Sequence, residues 1–218
     1  MTGVQTCALP IYHLADNTWV IFTSDNGPWQ LYGNHGGSAG PFRESKGTVY
    51  EGGIRVPCVM RWPGRIPAGR TSDIPWMTID FLPTIARLTG AALPAHPIDG
   101  RDAWPVISGQ ANAAPPHEAL LFYYHQNQLQ ALRSGRWKLI LPHRVNGVAR
   151  PLDGRDGKPG HGHPFQAGLE LYDLIADPGE TVNLAPARPE VLTPLLAHAE
   201  AARRSEEHTS ELQSRGLI

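Results

Sequence analysis

The sequence predicts an α/β protein with a small α+β subdomain of antiparallel strands and a terminal helix at its C-terminal end. Residues 18–23 form a continuous apolar, β-branched and aromatic run, typical of a strand buried on both faces of a parallel sheet. Residues 119–174 instead contain short strand-like runs separated by turns, typical of a small antiparallel sheet. Residues 189–203 are rich in Ala and Leu at the spacing of an amphipathic helix.

The N-terminal part is predicted to contain two strands and one helix. The first strand ends at the polar residues 24–28, and open α/β folds bind ligands at the carboxyl ends of strands. A long Gly-rich loop follows, and residues 54–62 predict a second buried strand that ends at a Pro-Gly turn. Residues 78–88 predict a helix that stops at Gly90, with an apolar face made by Phe81, Leu82, Ile85 and Leu88.

The C-terminal part is predicted to contain four strands, at residues 119–124, 129–133, 136–141 and 169–174. Ser134 and Gly135 predict a hairpin turn between the second and third of them. Residues 142–168 hold several Gly, Pro and His residues, which predict an irregular insertion.

Composition excludes several classes of protein. The chain has 218 residues with 19 Lys and Arg against 20 Asp and Glu, which argues against nucleic-acid binding. At 41% hydrophobic and 18% charged residues it is too apolar for a disordered chain, and it has no run long enough to be a transmembrane segment. Two cysteines exclude a disulfide framework, and Cys58, in apolar surroundings, is predicted to be a small core residue rather than a nucleophile.

The two ends are expected to be non-native, adapter-like scars at residues 1–12 and 204–218. Residues 1–11 and 204–214 can be encoded on opposite strands of one DNA duplex, and both resemble translated sequencing-adapter sequence. On this interpretation the native N-terminus is missing, so the lack of a signal peptide says nothing about the compartment.

Candidate chemistry concentrates in residues 24–55. Asp25 and Asn26 offer a carboxylate and an amide oxygen, which are hard ligands suited to Ca²⁺ or Mg²⁺, although Asp-Asn-Gly is also a common turn. Lys46, flanked by small residues, can direct a positive charge at an anion, as phosphoryl- and sulfuryl-transfer sites require. His35 lies in a Gly-rich loop, and its position alone leaves open whether it contacts a substrate or is merely solvated.

Three segments together resemble the type I, formylglycine-dependent sulfatases. Residues 23–27 read TSDNG, residues 40–47 read GPFRESKG, and residues 50–57 read YEGGIRVP. Further similarity extends over nearly all of residues 17–202. The resemblance implies the alkaline-phosphatase-like sulfatase fold, with residues 13–115 as the C-terminal part of the catalytic domain and residues 116–203 as the C-terminal subdomain.

The resemblance also implies roles for the candidate residues. Asp25 and Asn26 would be two ligands of a Ca²⁺ ion, and Lys46 would contact the sulfate. The resemblance assigns no role to His35, which from its position alone could contact the substrate or assist the leaving group. The substrate would be a sulfated small molecule or glycan, and the protein would be periplasmic or secreted. Neither the individual substrate nor the oligomeric state is predicted.

One departure from the family pattern predicts that the chain is inactive as written. The formylglycine is made within a Cys/Ser-x-Pro/Ala-x-Arg motif, and neither Cys7 nor Cys58 begins one. The upstream aspartates that complete the family's metal site are also absent. We therefore expect an inactive fragment of a sulfatase, that is, of a sulfuric ester hydrolase.

Two other functions stay open at this stage. A phosphate monoester or diester hydrolase shares the superfold and the oxygen ligands, and a non-catalytic binding module would need no nucleophile.

Weaker candidate residues are also open. His161 and His163 are expected in a solvated loop, and Arg55 is expected to tie Glu51 rather than bind sulfate. Arg43 flanks the site in sequence. The last candidates lie at the end of a predicted strand and are Tyr123, Tyr124 and His125. Their rings could line the edge of the substrate site and pack on sugar rings, but packing on the protein core is slightly preferred.

Overall fold

The computed structural model describes residue 9, residues 11–125 and residues 127–214, with side chains to residue 205. The described chain forms two compact units. The first comprises the residues up to Asp25 together with Val56–Glu118, and the second comprises Asn26–Arg55 together with the residues from Ala119 onward. The two units are defined by contacts within the chain and not by family domains. The predicted domain boundary after residue 115 therefore stays a prediction.

Short strands and helices occupy the first half of the described chain, and six strands followed by one long helix occupy the second half. In chain order they are β1 (Val20–Thr23), α1 (Glu51–Ile54), β2 (Cys58–Arg61), α2 (Phe81–Thr89), α3 (Trp104–Ile107), β3 (Leu120–Tyr124), β4 (Gln128–Ser134), β5 (Trp137–Ile140), β6 (His143–Val148), β7 (Gly162–Ala167), β8 (Glu170–Asp173) and α4 (Pro189–Ser214). Among the described residues, 3-10 turns also lie at Ala15–Asn17, Gln30–His35 and Thr78–Asp80.

In the first unit, strands β1 and β2 pair with each other in antiparallel register, from Val20 opposite Arg61 to Thr23 opposite Cys58. The predicted burial of both strands is therefore wrong, and β1 has an antiparallel partner where its apolar run suggested a parallel sheet. Phe22 is 55% exposed and Val59 is 64% exposed. An apolar run in a short strand does not distinguish a buried face from an exposed one, because strand propensity and burial favour the same side chains.

The predicted helix near residue 80 is confirmed, as α2 with a preceding 3-10 turn. Gly90 follows it with φ 73°, a left-handed conformation that suits glycine and ends the helix. The predicted apolar face is wrong in part, because Leu82 and Ile85 are exposed whereas Phe81 and Leu88 are half-buried. The residues that α2 buries are Pro83, Thr84 and Ala86.

The second unit is built on a four-stranded antiparallel sheet in the order β3-β4-β5-β8. All four strands were predicted, and the Ser134–Gly135 hairpin is confirmed because Ser134 pairs with Trp137 across it. The predicted irregular insertion is wrong in part, since β6 and β7 form a regular hairpin within it. Residues of β6 alternate between buried and exposed, but Gly147 and Pro164 obscure the strand pattern in the sequence.

The sheet of the second unit is covered on both faces. One face packs against α4 through Leu132, Leu139 and Leu171. The other face contributes Ala131, Ile140 and Tyr172 to a cluster with the β6–β7 hairpin and with Val49 and Tyr50. The Gly-rich loop therefore packs on the sheet through its last third, opposite the terminal helix.

Within the described residues, no helix has the length and apolar character needed to cross a membrane. The adapter-like ends predicted at residues 1–12 and 204–218 fall largely outside the described side chains.

Candidate active site

The candidate residues of the second unit are brought together by backbone hydrogen bonds at Gly27 and Pro28. The backbone N–H of Gly27 donates to the carbonyl of Gly53 at 2.8 Å, and that of Lys46 donates to the carbonyl of Pro28 at 3.0 Å. These two hydrogen bonds hold the Lys46 loop against the segment that begins at Asn26. Residues far apart along the loop thus converge beside Gly27 and Pro28.

Close backbone packing explains two of the glycines. A Cβ atom on Gly27 would lie 1.9 Å from the carbonyl oxygen of Gly52, and one on Gly36 would lie 2.2 Å from that of Trp29. Both distances are far below van der Waals contact, and the obstructing atoms belong to the backbone, which cannot rotate away. At these two positions, glycine is therefore required by the close approach of chain segments.

Lys46 is exposed, although the residues beside it are buried or half-buried. Its Nζ lies 5.1 Å from the ring centroid of Trp29, which is a cation–π contact. Among the residues that the structure describes, no carboxylate lies within ion-pair distance of this amino group. Its charge is therefore available to an anionic ligand.

His35 ends the 3-10 turn Gln30–His35 and is exposed. The next residue, Gly36, packs on the carbonyl of Trp29, so the histidine loop folds back toward the residue that contacts Lys46. The structure therefore brings the backbones that carry His35 and Lys46 to the same short segment. The catalytic role of His35 stays a prediction.

Asp25 and Asn26 follow β1 in a bend, as the sequence predicts for residues at a strand end. Asp25 is the last residue of the first unit, Asn26 is the first of the second, and Ser24 Oγ approaches Asp25 Oδ1 at 3.5 Å. Within the described part of the chain, no group of three or more His, Cys, Asp and Glu residues could hold a metal ion. The two side chains suit Ca²⁺ in donor chemistry, but they supply only part of the roughly six to eight oxygens that it takes.

Sequence reasoning missed the group that holds the loop in place, a buried cluster of charged residues around Lys138. The Lys138 Nζ donates to Glu51 Oε1 at 3.0 Å and lies 2.9 Å from Glu180 Oε1, and all three side chains are at most 1% exposed. Glu180 Oε2 also accepts a 2.7 Å hydrogen bond from the backbone N–H of Glu51. Arg133 approaches Glu51 at 3.4 Å.

The position of Lys138 in β5 explains its burial. Side chains alternate between the faces of a strand, so Lys138 shares the face of Ile140, which the loop covers. A buried ammonium is costly unless it is paired, and here two carboxylates from different segments supply the pairing. Burial raises the pKa of Glu180, and the charge of Lys138 opposes that rise. The cluster thus couples α1, which follows the Lys46 loop, to the sheet.

Arg43 forms a second attachment of the loop. Its guanidinium donates to Tyr172 Oη at 2.8 Å and to the Glu180 carbonyl at 3.2 Å, and it lies 4.0 Å from the Tyr50 ring centroid. Glu170 accepts from the hydroxyls of both tyrosines, at 2.9 Å and 2.8 Å. Burial, together with this carboxylate, raises the pKa of Tyr50 and of Tyr172, so both stay protonated donors. Arg43 thus stabilises the attachment of the loop to the sheet.

Several weaker predictions are now resolved. Arg55 lies 3.8 Å from Glu51, which confirms the expected pairing. His161 and His163 are exposed in or beside the β6–β7 hairpin, and His161 pairs with Asp153. The prediction that Cys58 is a core residue is wrong, because it is exposed in β2.

Comparison with known proteins agrees with this arrangement. The Sulfatase family model matches residues 12–91, and the model for the C-terminal region of aryl-sulfatase matches residues 115–215. The chain belongs to the sulfatase family. The first match includes the loop that carries His35 and Lys46, and the second includes all four strands of the sheet that anchors it.

Individual relatives are also sulfatases. The chain is 37% identical to arylsulfatase A of Homo sapiens over 88% of its own length and 39% of that protein. It is 40% identical to steryl-sulfatase of Mus musculus over 92% of its own length and 35% of that protein. The chain thus spans less than half the length of these relatives.

A solved sulfatase has the same fold. The PsFucS1 sulfatase from Pseudoalteromonas sp. is 25% identical, with a TM-score of 0.80 over 94% of this chain and 40% of that one. The predicted alkaline-phosphatase-like sulfatase fold is therefore confirmed for the part of the family's structure that this chain spans.

Proposed function

We propose that the whole protein hydrolyses sulfate esters, and that Lys46 binds the sulfate group. The observation that carries this proposal is an exposed amino group, with no carboxylate at ion-pair distance in the described residues, on a loop attached to a buried ionic cluster. A fixed positive charge stabilises the negative charge that develops on sulfuryl oxygens during transfer. Because the loop is held in place, this charge needs little reorganisation when the substrate arrives.

His35 is proposed as a second contact to the substrate. Its imidazole is exposed, and its loop returns to Trp29, which lies beside Lys46. A neutral imidazole can donate one hydrogen bond to a sulfate oxygen, and a protonated one can donate its proton to the departing alcohol oxygen. The first role requires only binding, so it is testable without turnover.

Asp25 and Asn26 are proposed as two of the ligands of a Ca²⁺ ion. Both are oxygen donors, and a bound Ca²⁺ would polarise a sulfate oxygen as a Lewis acid. Their adjacency at the end of β1 supports the proposal, although the described residues provide no carboxylate cluster to complete the site.

The chain of 218 residues is proposed to bind sulfate esters without hydrolysing them. It contains no Cys/Ser-x-Pro/Ala-x-Arg motif, so it has no residue from which the family's formylglycine could be made. No chemical step through that group is therefore assigned to these residues. We further propose that the whole protein is periplasmic or secreted and acts on a sulfated small molecule or glycan, as the family resemblance implies.

Titration calorimetry with methyl sulfate tests the role of Lys46 directly. Lys46→Ala should weaken binding by about tenfold or more, because a charge-assisted contact is lost. Lys158→Ala is a matched control, since Lys158 is an exposed lysine of the loop between β6 and β7. Equal affinities for the Lys46→Ala protein and the unaltered chain would contradict the proposal.

An assay with an aryl sulfate, with calcium and with a chelator, tests the expected lack of turnover. Metal-dependent hydrolysis by the purified chain would contradict it. Tighter binding of methyl phosphate than of methyl sulfate would favour the phosphate ester hydrolase instead.

A further inference from the structure

Two large aromatic side chains are exposed beside Lys46. Trp29 is 48% exposed and Tyr124 is 42% exposed, although side chains of this size are usually mostly buried. Lys46 Nζ lies 5.1 Å from the ring centroid of Trp29, so the cation and this aromatic face share one surface. Tyr32 packs edge-on against Trp29 at 4.7 Å and limits the rotation of its indole.

Tyr124 approaches the same loop from the sheet. Its Oη lies 3.6 Å from the position that a Cβ atom on Gly47 would occupy, so the phenol reaches the residue next to Lys46. A register shift between Phe122 and Tyr123 precedes it in β3. Tyr123 packs with the cluster beneath α4, and the next side chain, Tyr124, points away from that cluster, as the alternation of a strand requires.

His125 continues this surface at the end of β3. Its ring centroid lies 4.4 Å from that of Tyr124 at a steep angle, and its backbone has φ 43°. The left-handed backbone at this position turns the chain away from the strand. Trp29 therefore contacts Lys46, Tyr124 reaches the residue that follows Lys46, and His125 packs on Tyr124.

We propose that Trp29 and Tyr124 form an aromatic rim that packs on the ring of the substrate alcohol while Lys46 binds the sulfate. This inference rests on the proposed function, and it narrows the substrate to sulfate esters of a ring, either a sugar or an aromatic alcohol. Aromatic faces stack on flat or weakly polar ring faces without needing hydrogen bonds. A sulfate held by Lys46 would keep the ring carbons of its ester within reach of these side chains.

The affinities of three probes distinguish the contribution of the aromatic rim from that of Lys46. Phenyl sulfate and glucose 6-sulfate each carry a ring, and methyl sulfate carries the anion alone. Trp29→Ala and Tyr124→Ala should each weaken binding of at least one ring-bearing probe by about fivefold to tenfold, while methyl sulfate changes less than about twofold. The probe with the larger change identifies the ring type, and Trp29→Phe should retain most of the affinity.

Tyr12→Ala is a matched control, since Tyr12 is an exposed aromatic residue of the other unit. Circular dichroism spectra that match the unaltered chain would show that the exposed sites tolerate the changes. The rim would be overturned if Trp29→Ala and Tyr124→Ala lost the same affinity for methyl sulfate as for both ring-bearing probes. It would also be overturned if neither variant lost affinity for a ring-bearing probe. A different result would retain the rim and overturn the role of Lys46. In that case Trp29→Ala would lose its preference for ring-bearing probes over methyl sulfate, while Lys46→Ala would bind methyl sulfate as tightly as the unaltered chain does. No measurable binding of any probe would overturn both.

Discussion

The two units differ in the charged groups that they bury, since the first buries Asp80 beside His117 and the second buries a larger ionic cluster. The second unit buries a lysine and two glutamates in its interior and leaves Lys46, Trp29 and Tyr124 exposed at its candidate site. The first unit leaves apolar side chains exposed on β1, β2 and α2 instead. The comparison teaches that rigidity at the candidate site comes from paired buried charges, and that an apolar sequence pattern need not mark a core.

The strongest way to break this comparison is to remove the central lysine. Lys138→Met keeps the length of the side chain but leaves Glu51 and Glu180 buried without their cation. We expect the free energy of unfolding to fall by about 3–5 kcal/mol, which is typical when one partner of a buried ion pair is lost. Urea unfolding followed by circular dichroism measures this change.

Arg136→Met is the matched control, because Arg136 pairs with Asp173 but its side chain is 45% exposed. Exposed ion pairs are screened by solvent and contribute little compared with buried ones. If the two substitutions had equal effects, the buried cluster would not be what stabilises the second unit.

A pair of leucines compares the apolar surfaces of the two units. Leu139, in β5, is fully buried, whereas Leu82, in α2, is 53% exposed. Leu139→Ala should lower the free energy of unfolding by about 2–5 kcal/mol, because it removes packed methyl groups and leaves a cavity. Leu82→Ala should cost less than about 1 kcal/mol.

The midpoint of urea denaturation, measured for both variants, checks this expectation. A larger loss for Leu82→Ala than for Leu139→Ala would mean that the first unit relies on the face of α2 that the structure leaves exposed.

What the sequence could predict depended on how far its signals extend along the chain. The strands β3, β4, β5 and β8 were predictable because strand-like runs and turn residues lie within a few positions of each other. The role of Lys138 was not, since its partners Glu51 and Glu180 lie 87 residues before it and 42 after it, on other segments. Lys46 was recognisable only from the motif around it.

The antiparallel pairing of β1 with β2 was missed for a related reason. Both runs are apolar, and each strand has only four residues. Such short sequences contain no signal for the direction of the partner strand. Trp29 was overlooked because a single tryptophan in a Gly-rich loop does not show, from sequence, that Lys46 lies beside it.

The smallest expected effect concerns His143, which is buried at the start of β6 with Nδ1 2.7 Å from the carbonyl oxygen of Leu141. Burial lowers the pKa of His143 below its ordinary value of 6.5. The unfolded chain therefore binds a proton more readily than the folded one, so this residue's contribution to stability is complete above its unfolded pKa. That contribution is lost as the pH falls from about 6.5 toward the folded pKa.

His143→Gln should consequently flatten the decline of the free energy of unfolding between about pH 7 and pH 5, whatever it does to stability at pH 7. Urea denaturation at several pH values gives the slope. His96→Gln, at an exposed position of the first unit, should leave the slope of the unaltered chain. A slope that is unchanged in His143→Gln would contradict the role of His143 in this decline. Asp173 does not interfere with the measurement, because its pKa is lowered by its hydrogen bonds from Arg136 and its contribution is lost only at pH values below about 4.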